Sequence, residues 1–520
     1  EQIDGDLIPY NIHDVKETKR FAQFSEDALR FRRNLVDQFG VDVMNYSDTK
    51  IGSVIMENRI GEDICYDRSG GMKEKRQTIR HKIDIGQIIF PHVKFRSSEF
   101  NRVLDYLRTQ TLSIDEATGN LKTKGVFTDL KTMFGGIEFS FGTGGIHASV
   151  DDQRFVADDE WLIRDIDVAS LYPSIAIAYK LSPEHLGAVF AKEYSALITE
   201  RRKHAKGTVE NASLKLAANG TYGNSNNKYS VFFDPQYTMS ITINGQLMLC
   251  MLAEWLVQLV PTLQLIQVNT DGITYRIHKD HEPRAAELCS YWEDYTRLTL
   301  EDADYSRMWI RDVNNYIAEY KGSGKLKTKG AYWHPDPNNY VSSIANAGPP
   351  AWHKNFNPTI VPMVANAAMV WGVDPEQYIR AHKNPYDFML KVKVNRSNHL
   401  MLGDRSIQKN TRYYVSTNGH EMRKIAPPVA GAVLGEYKRA TKVTQHTYDK
   451  IMAELPPRPD DPRFKAHDER IHTKNKSVYK DRVTSIQSGW KVTECNNVED
   501  FDFDTINYDF YLQEIAKLIL

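Results

Sequence analysis

The chain has 520 residues, and 66 lysines and arginines against 67 aspartates and glutamates give it a net charge of −1. Hydrophobic residues make up 41% and charged residues 26%, which excludes a largely disordered chain. The four cysteines form no CxxC pair, which argues against a zinc ribbon and a disulfide-stapled secreted protein. The near-zero charge by itself gives no support to a nucleic-acid partner.

Three features of the sequence bear on its overall organisation: its length, its apolar runs and its first residues. The length suggests roughly three to five domains, and no apolar run approaches the ~18 residues that span a bilayer, so we expect no membrane partner. The start at Glu1 lacks a methionine and resembles no signal peptide, so we expect a cut or processed end.

The predicted elements alternate along the chain. Residues 1–150 combine predicted helices over Lys16–Asp37 with strand-like runs and glycine-rich turns, and residues 156–335 alternate apolar strands with amphipathic helices. Three proline pairs mark turns in the last third: Pro349-Pro350, Pro427-Pro428 and Pro456-Pro457. This pattern predicts an α+β protein with a central sheet.

The first motif places two carboxylates near a helix start. Asp165 and Asp167 alternate along an apolar strand and so share one face. Ser170 follows as a predicted helix N-cap, with Pro173 in the first turn. A carboxylate at a strand end beside free helix N–H groups can hold a divalent cation and accept a phosphate. An ordinary strand-to-helix turn with acids on a wet face is the alternative.

The second motif is a line of functional groups on one helix face. Lys215, Asn219 and Tyr222 are spaced i, i+4 and i+7. A cation, an amide and an aromatic ring in one line suit the phosphate, sugar and base of a nucleotide. An amphipathic helix pair with solvated cations is the alternative.

A helical hairpin is predicted just before this line. Gly207 is a fitting stop for one helix, and Thr208 is a fitting N-cap for the next. Arg202 and Lys206 are spaced i, i+4 on a face that an antiparallel hairpin could turn toward Lys215.

The third motif is an Asp271-Gly272 pair between two alternating apolar runs, a strong signal of a β-hairpin. Asp271 could simply make the turn. A hairpin tip is also a good place to present a carboxylate, so the two interpretations are compatible.

The three motifs in this order closely resemble the polymerase motifs of family B (polymerase-alpha-like) DNA polymerases, of a phage or mobile-element type. The resemblance implies an α+β right-hand fold with a palm built on an antiparallel sheet, short helical-hairpin fingers and a thumb, plus a remnant of a 3′–5′ exonuclease domain. The implied parts are 1–40 exonuclease, 41–155 connecting region, 156–182 palm, 183–225 fingers, 226–335 palm and 336–520 thumb.

The resemblance also implies catalytic roles. Asp167 and Asp271 would be the catalytic pair that holds two Mg²⁺ ions, or Mn²⁺ in their place, with the backbone carbonyl of Val168 as a further ligand. Asp165 is the alternative on the same strand face. Tyr172 would exclude a 2′-hydroxyl, so the substrate would be a dNTP. The residues implied to bind it are Ser170, Leu171, Tyr172, Arg202, Lys206, Lys215 and Asn219, where Arg201 competes with Arg202.

Further matches imply contacts with DNA. The implied DNA-binding residues are Gly144, Gly145, Tyr222, Gly223, Lys327 and Lys329. Between Lys391 and Lys450 there are about twelve Lys and Arg against four Asp and Glu. A basic stretch of this kind is typical of a solvated face, and a surface that binds the DNA backbone is the alternative. Tyr10 and Asp14 match the third exonuclease motif, Tyr-x-x-x-Asp.

Several features depart from the family pattern. Asn269 stands where most relatives have an aspartate, and Asn314-Asn315-Tyr316 replaces a common lysine pair, which shifts primer grip toward Lys327 and Lys329. The short interval from Asp167 to Lys215 disfavours protein priming. The first two exonuclease motifs have no counterpart before Tyr10, so we expect the N-terminal exonuclease part to be a separate partner chain, or to have been removed or never made.

The implied function is a template-directed DNA polymerase, located in the cytoplasm (the host cytoplasm if phage-encoded). Its expected partners are primer–template DNA, dNTPs and the separate N-terminal exonuclease chain or a processivity factor. The alternative is a catalytically inactive, polymerase-like DNA-binding subunit.

Overall fold

The chain divides into two compact units in the computed structural model, Glu1–Lys327 and Thr328–Leu520. The structure describes residues 2–115, 120–123, 125–334, 358–426 and 482–520. The turns predicted at the three proline pairs lie outside these ranges, as does the part of the basic stretch from 427 to 450.

Helices of very different length occur in the first unit. They are α1 (Gln2–Phe24), α2 (Glu26–Phe39), α3 (Asp48–Ile60), α4 (Glu62–Cys65), α5 (Ile85–Ile88), α6 (Ser98–Arg108), α7 (Leu171–Ala178), α8 (Gly187–Arg202), α9 (Val209–Gly223), α10 (Pro235–Leu259) and α11 (Glu282–Thr296). The helices predicted over Lys16–Asp37 are confirmed, since a turn at Ser25 divides this segment between α1 and α2.

The strands of the first unit begin after α4. They are β1 (Tyr66–Asp67), β2 (Glu74–Lys75), β3 (Lys82–Asp84), β4 (Thr111–Ile114), β5 (Leu121–Lys122), β6 (Lys131–Phe134), β7 (Ile137–Phe141), β8 (Ile146–Ser149), β9 (Gln153–Val156), β10 (Trp161–Val168), β11 (Gln264–Asn269), β12 (Gly272–His278), β13 (Leu300–Asp312), β14 (Asn315–Tyr320) and β15 (Leu326–Thr328). A short 3₁₀ turn, Lys279–His281, precedes α11.

A ten-stranded sheet organises this unit, in the order β15-β14-β13-β10-β12-β11-β8-β7-β6, with β9 also paired to β13. β10 lies inside the sheet and pairs antiparallel with β12 and β13. The register sets the Cα of Asp167 opposite Gly272 on one side and Glu301 on the other. The sheet therefore fixes the position of the first motif's carboxylate.

α10 is the longest helix in the described residues, and its side chains are mostly buried in the core. It has the length and apolar composition to cross a membrane, which the sequence analysis did not anticipate, but 89% of its apolar window is buried inside the protein. The apolar area that α10 buries is the main stabilising contribution to the core around it. Its buried polar side chains Asn244, Gln246 and Glu254 all have hydrogen-bond partners.

The second unit combines helices with two smaller sheets. Its helices are α12 (Ile360–Trp371), α13 (Pro375–Ala381), α14 (Pro385–Phe388) and α15 (Tyr508–Ala516), with 3₁₀ turns at Gly330–Tyr332, Val498–Asp500 and Phe503–Thr505. Its strands are β16 (Leu390–Lys393), β17 (His399–Leu402), β18 (Arg405–Ile407), β19 (Asn410–His420), β20 (Met422–Ala426), β21 (Arg482–Ile486) and β22 (Val492–Glu494). The sheet orders are β16-β19-β22 and β18-β17-β20-β21.

A buried tyrosine joins the elements of the second unit. The hydroxyl of Tyr511 on α15 donates to the carbonyl of Phe388 at 2.8 Å and accepts from the amide of Val415 at 3.1 Å. Both backbone groups would otherwise be unpaired in the core, where such a loss costs about 1–3 kcal/mol.

Candidate functional site

Two carboxylates lie at adjacent strand ends in the first unit. β11 and β12 form the hairpin predicted from Asp271-Gly272, so that prediction is confirmed. The amide of Val168, at the end of β10, donates to the carbonyl oxygen of Asp271 at 2.7 Å. Asp271 is exposed, while Asp167 is half-buried. The first and third motifs therefore meet at the ends of neighbouring strands inside the sheet.

Gly272 makes room for the carboxylate of Asp167. A Cβ atom at position 272 would collide with Oδ1 of Asp167. Burial raises the pKa of Asp167 to about 6, with the charges of Asp165, Asp271 and Glu301 adding to the rise and the charge of Lys327 opposing it. A carboxylate in such surroundings gains from a nearby cation.

Asp165 has its own partners inside the protein. It shares the strand face of Asp167, as predicted, but it is buried and accepts hydrogen bonds from Thr274 Oγ1 at 2.6 Å and from the hydroxyl of Tyr305. The Nζ of Lys327 lies 3.1 Å from Asp165 Oδ2 and 2.9 Å from the Tyr305 hydroxyl. Asp165 and Lys327 thus form an internal ion pair, and the primer grip implied for Lys327 stays a prediction.

The predicted helical hairpin is present as α8 and α9. Thr208 caps α9 by accepting a hydrogen bond from the amide of Asn211, which confirms that prediction. The helix stop predicted at Gly207 is wrong, because α8 already ends at Arg202 with Lys203 as its C-cap, and Gly207 (φ +96°) lies in the loop between the two helices. The side-chain amide of Asn211, in the first turn of α9, donates to the carbonyl of Arg201 at the end of α8 at 3.2 Å, and the hydroxyl of Tyr194, in the middle of α8, donates to the carbonyl of Ala218, further along α9, at 3.0 Å. The two helices are therefore antiparallel.

An open cavity of about 570 Å³ lies between this hairpin and the strand ends. Three cations (Arg201, Lys206 and Lys215) and two acids (Asp271 and Glu301) contribute to its wall. The remaining lining residues are Ser170, Leu171, Tyr172, Pro173, Gly207, Asn211, Ala212 and Asn219. The predicted face of α9 turns inward, because Lys215 and Asn219 both line the cavity.

The structure brings Arg201, and not Arg202, to this cavity. Nη1 of Arg201 lies 3.2 Å from Oγ of Ser170, whereas Arg202 lines a different cavity. Consecutive helical residues point about 100° apart, so only one of the two can face the site. α8 ends at Arg202, so the helical spacing assumed between Arg202 and Lys206 does not apply, and Lys206 reaches the cavity from the following loop.

Ser170 occupies the N-cap position of α7, but its side chain makes no cap hydrogen bond, so the predicted capping is wrong. Its backbone is left-handed, with φ 51° and ψ 56°, and not in the extended conformation of a typical N-cap. The hydroxyl instead accepts the hydrogen bond from Arg201. Pro173 lies in the first turn of α7, as predicted.

Two contacts hold the Tyr172 side chain, one to its ring and one to its hydroxyl. The ring stacks on Tyr222 at a centroid distance of 4.5 Å and an angle of 22°. Its hydroxyl donates to the carbonyl of Gly144 at 2.5 Å. Burial, with a smaller contribution from the charge of Asp271, raises the pKa of Tyr172 to about 12, so the phenol stays protonated near neutral pH.

Gln246 on α10 holds the glycine-rich turn that Tyr172 contacts, and the sequence analysis missed it. Its Nε2 donates to the carbonyl of Gly142 at 2.9 Å, and its Oε1 accepts from the amide of Gly142 at 3.2 Å. A polar residue inside an apolar helix was the available signal, because buried polar groups need partners.

The other predicted residues lie apart from this cavity's wall. Gly145 precedes β8 and lies close to Thr270, and Gly223 is the exposed last residue of α9. Lys329 is exposed in the second unit. Tyr10 and Asp14 are exposed on α1, and residues 2–60 contain no strand, so the implied exonuclease remnant stays a prediction.

The site offers few metal-binding side chains. In the described residues no group of three or more His, Cys, Asp or Glu side chains is placed to hold an ion. The carboxylates at the cavity edge are those of Asp167, Asp271 and Glu301, and Glu301 lies 3.4 Å from the Nζ of Lys206. The candidates for a metal are therefore Asp167 and Asp271, with backbone carbonyls such as that of Val168.

Comparisons with known proteins add no relative: no family model matches the chain, and no curated protein matches it either. The geometry of the cavity and the resemblance of the motifs are what bear on function.

Proposed function

We propose that the protein is a template-directed DNA polymerase that adds dNTPs to a primer 3′-hydroxyl. The observation that carries the proposal is the wall of the 570 Å³ cavity, where a carboxylate at a hairpin tip, a fixed tyrosine ring and three cations converge. Asp167 lies directly beside this wall, since its Cα pairs with Gly272.

The two carboxylates fit Mg²⁺. The ion is usually held by one or two protein carboxylates and completes its shell with water and substrate phosphates, so a third protein carboxylate is not required. The pKa of Asp167 is raised first by burial and then by repulsion from neighbouring carboxylates, and a bound cation would stabilise its charged form against both. Asp167 and Asp271 would hold two Mg²⁺ ions, and the chemistry these would supply is a lower pKa for the 3′-hydroxyl and neutralisation of charge on the transferred phosphate.

The cations suit a triphosphate. Arg201 approaches from the end of α8, Lys206 from the loop and Lys215 from α9, so three positive charges reach the cavity from one side. Several preorganised cations are what phosphoryl transfer needs, because the reaction leaves little covalent chemistry to protein groups. Asn219, one turn beyond Lys215, can donate to the same substrate.

Tyr172 suits a sugar-selecting role. Its ring cannot move without losing both the stack on Tyr222 and the hydrogen bond to Gly144. A rigid ring on the cavity wall leaves fixed space for the sugar, so an added 2′-hydroxyl would collide with it. We therefore propose dNTPs as substrates and primer–template DNA as the partner.

Templated incorporation tests the proposal. The purified chain is given a labelled primer on four templates that differ only in the first unpaired base, with Mg²⁺ and one dNTP at a time. The proposal requires extension by the complementary dNTP on each template. If no dNTP is added on any template, or if addition ignores the template base, the chain is not a templated polymerase.

A further inference from the structure

A second cavity lies beside the first and shares no lining residue with it. Its volume is about 300 Å³, and its wall comes from α7, α8 and the segment after α11. Arg202, which the motif pattern singled out, points into this second cavity. Among the described residues that line it there is no aspartate or glutamate.

The charged side chains that line this cavity are those of two arginines, Arg202 and Arg297. Arg202 is the last residue of α8, and Arg297 directly follows α11. Both residues are exposed, and neither has a carboxylate within ion-pair distance in the described part of the chain. Two positive charges on one cavity wall repel each other, and a bound anion would relieve this repulsion.

The backbone of Arg297 adds an independent observation. Its φ of 57° and ψ of 28° are left-handed, the conformation in which helix ends usually place glycine because other residues are strained. An arginine in this position keeps a strained backbone while its side chain reaches the cavity.

Hydroxyl groups complete the wall. Ser195 lies one helical turn before Thr199 on α8, and Ser174 is on α7. The hydroxyls of Ser174 and Thr199 donate to the carbonyls of Ala169 and Ser195. Ser195 is half-buried and lines the cavity, so its hydroxyl adds a hydrogen-bonding group to this wall.

We propose that this second cavity binds a phosphate group through Arg202, Arg297 and Ser195. Guanidinium forks match the spacing of phosphate oxygens, and two of them from different elements can neutralise a dianion. The same chemistry would recognise free phosphate, pyrophosphate or a phosphodiester of a nucleic-acid backbone. The inference does not depend on the proposed polymerase activity, because it concerns binding at a separate set of residues.

Calorimetric titration without divalent metal tests it. The probes are inorganic phosphate, pyrophosphate and a single-stranded oligo(dT). An Arg201→Ala/Lys215→Ala chain serves as the background, because it removes two cations of the first cavity. Arg202→Ala and Arg297→Gly in this background should each weaken binding of the responding probe about tenfold. Arg284→Ala, an exposed arginine elsewhere on α11, is the matched control and should leave the affinity unchanged.

Arg297→Gly also distinguishes a loss of binding from a loss of stability. Glycine relieves the left-handed strain, so this variant should melt at a higher temperature while binding more weakly. A response to phosphate or pyrophosphate identifies a free anion as the ligand, and a response to oligo(dT) alone identifies a nucleic-acid backbone. The proposal is overturned if no probe binds up to about 10 mM, or if Arg202→Ala and Arg297→Gly bind as well as the Arg284→Ala control.

Discussion

The hydroxyl of Tyr172 donates a 2.5 Å hydrogen bond to the carbonyl oxygen of Gly144. This bond ties the first turn of α7 to the glycine-rich turn before β8, and Gln246 holds the same turn from α10. Tyr222 of α9 stacks on the ring, so the Tyr172 side chain is held by two other elements, the glycine-rich turn and α9. The position of this ring is therefore set by the fold and not by substrate.

Replacing Tyr172 should change sugar selection. Tyr172→Ala removes the ring from the cavity wall, so we expect the ratio of rNTP to dNTP incorporation to rise at least about tenfold, equivalent to ~1.4 kcal/mol. Tyr172→Phe keeps the ring and its stack and serves as the control, with a smaller change. Single-nucleotide primer extension with matched dNTP and rNTP measures both ratios. Equal ratios in the wild type and Tyr172→Ala would remove Tyr172 from this role.

Arg201 should matter for nucleotide binding. Its guanidinium lies on the wall of the first cavity beside Ser170, so Arg201→Ala should raise the KM for dNTP about tenfold or more, since one charge-assisted contact with a phosphate is lost. Lys203→Ala is the matched control, because Lys203 is an exposed lysine that directly follows the last residue of α8. Steady-state extension kinetics separate KM from kcat. A KM change equal in the two variants would mean that general charge, and not this contact, binds the nucleotide.

Glu254 should be important for stability. This fully buried carboxylate on α10 accepts from the amides of Arg96 and Ser97, at 3.0 and 2.7 Å, and from the Ser97 hydroxyl, just before α6 begins. Glu254→Gln replaces one acceptor oxygen by an amide donor, so unfolding free energy should fall by about 2–4 kcal/mol.

Urea unfolding measures this loss. Glu287→Gln, an exposed glutamate on α11, should change the unfolding free energy by less than about 0.5 kcal/mol. A loss in Glu254→Gln no larger than that of the control would show that the buried contacts contribute little.

His185 should make stability depend on pH. Its Nε2 lies 2.7 Å from the carbonyl of Val231, which can only accept, so Nε2 carries the proton and Nδ1 accepts from Thr78 Oγ1 at 2.8 Å. Burial lowers the pKa of His185 below its usual value. As pH falls below about 6.5, the unfolded chain takes up the proton first, so the stabilising contribution is present above that pH and is lost below it.

Unfolding free energies at pH 7.5 and 5.5 measure this effect. His185→Gln should show a smaller loss between the two pH values than the wild type, with a difference of at most about 1.4 kcal/mol per pH unit. Asp167 contributes in the opposite direction below its pKa of about 6, but equally in both proteins. Identical pH slopes would show that His185 does not titrate in this window.

Local signals in the sequence were sufficient for part of the site. The Asp271-Gly272 hairpin, the Thr208 cap and the shared face of Lys215 and Asn219 each depend on residues a few positions apart, and each is found. Turn chemistry and helical periodicity determine such features before any tertiary contact forms.

Features that depend on distant residues could not be predicted in this way. Asp165 and Lys327 are 162 positions apart, and Gln246 and Gly142 are 104 apart, so their contacts follow from sheet register and helix docking. The choice between Arg201 and Arg202 depended on where α8 ends, because a shift of one residue turns a side chain by about 100°. Helix ends are poorly determined by local sequence.

If Asp167 and Asp271 together catalyse nucleotide transfer, the single-turnover rate of primer extension must depend on both carboxylates. Asp271→Asn is compared with Asp280→Asn, an exposed aspartate beyond the far end of β12, in saturating Mg²⁺ and dNTP. Loss of a carboxylate that holds the metal ions should lower the rate at least about a thousandfold, while the control extends at the wild-type rate. Equal rates in the two variants would contradict the proposed role of Asp271 and with it the assignment of this cavity as a polymerase active site.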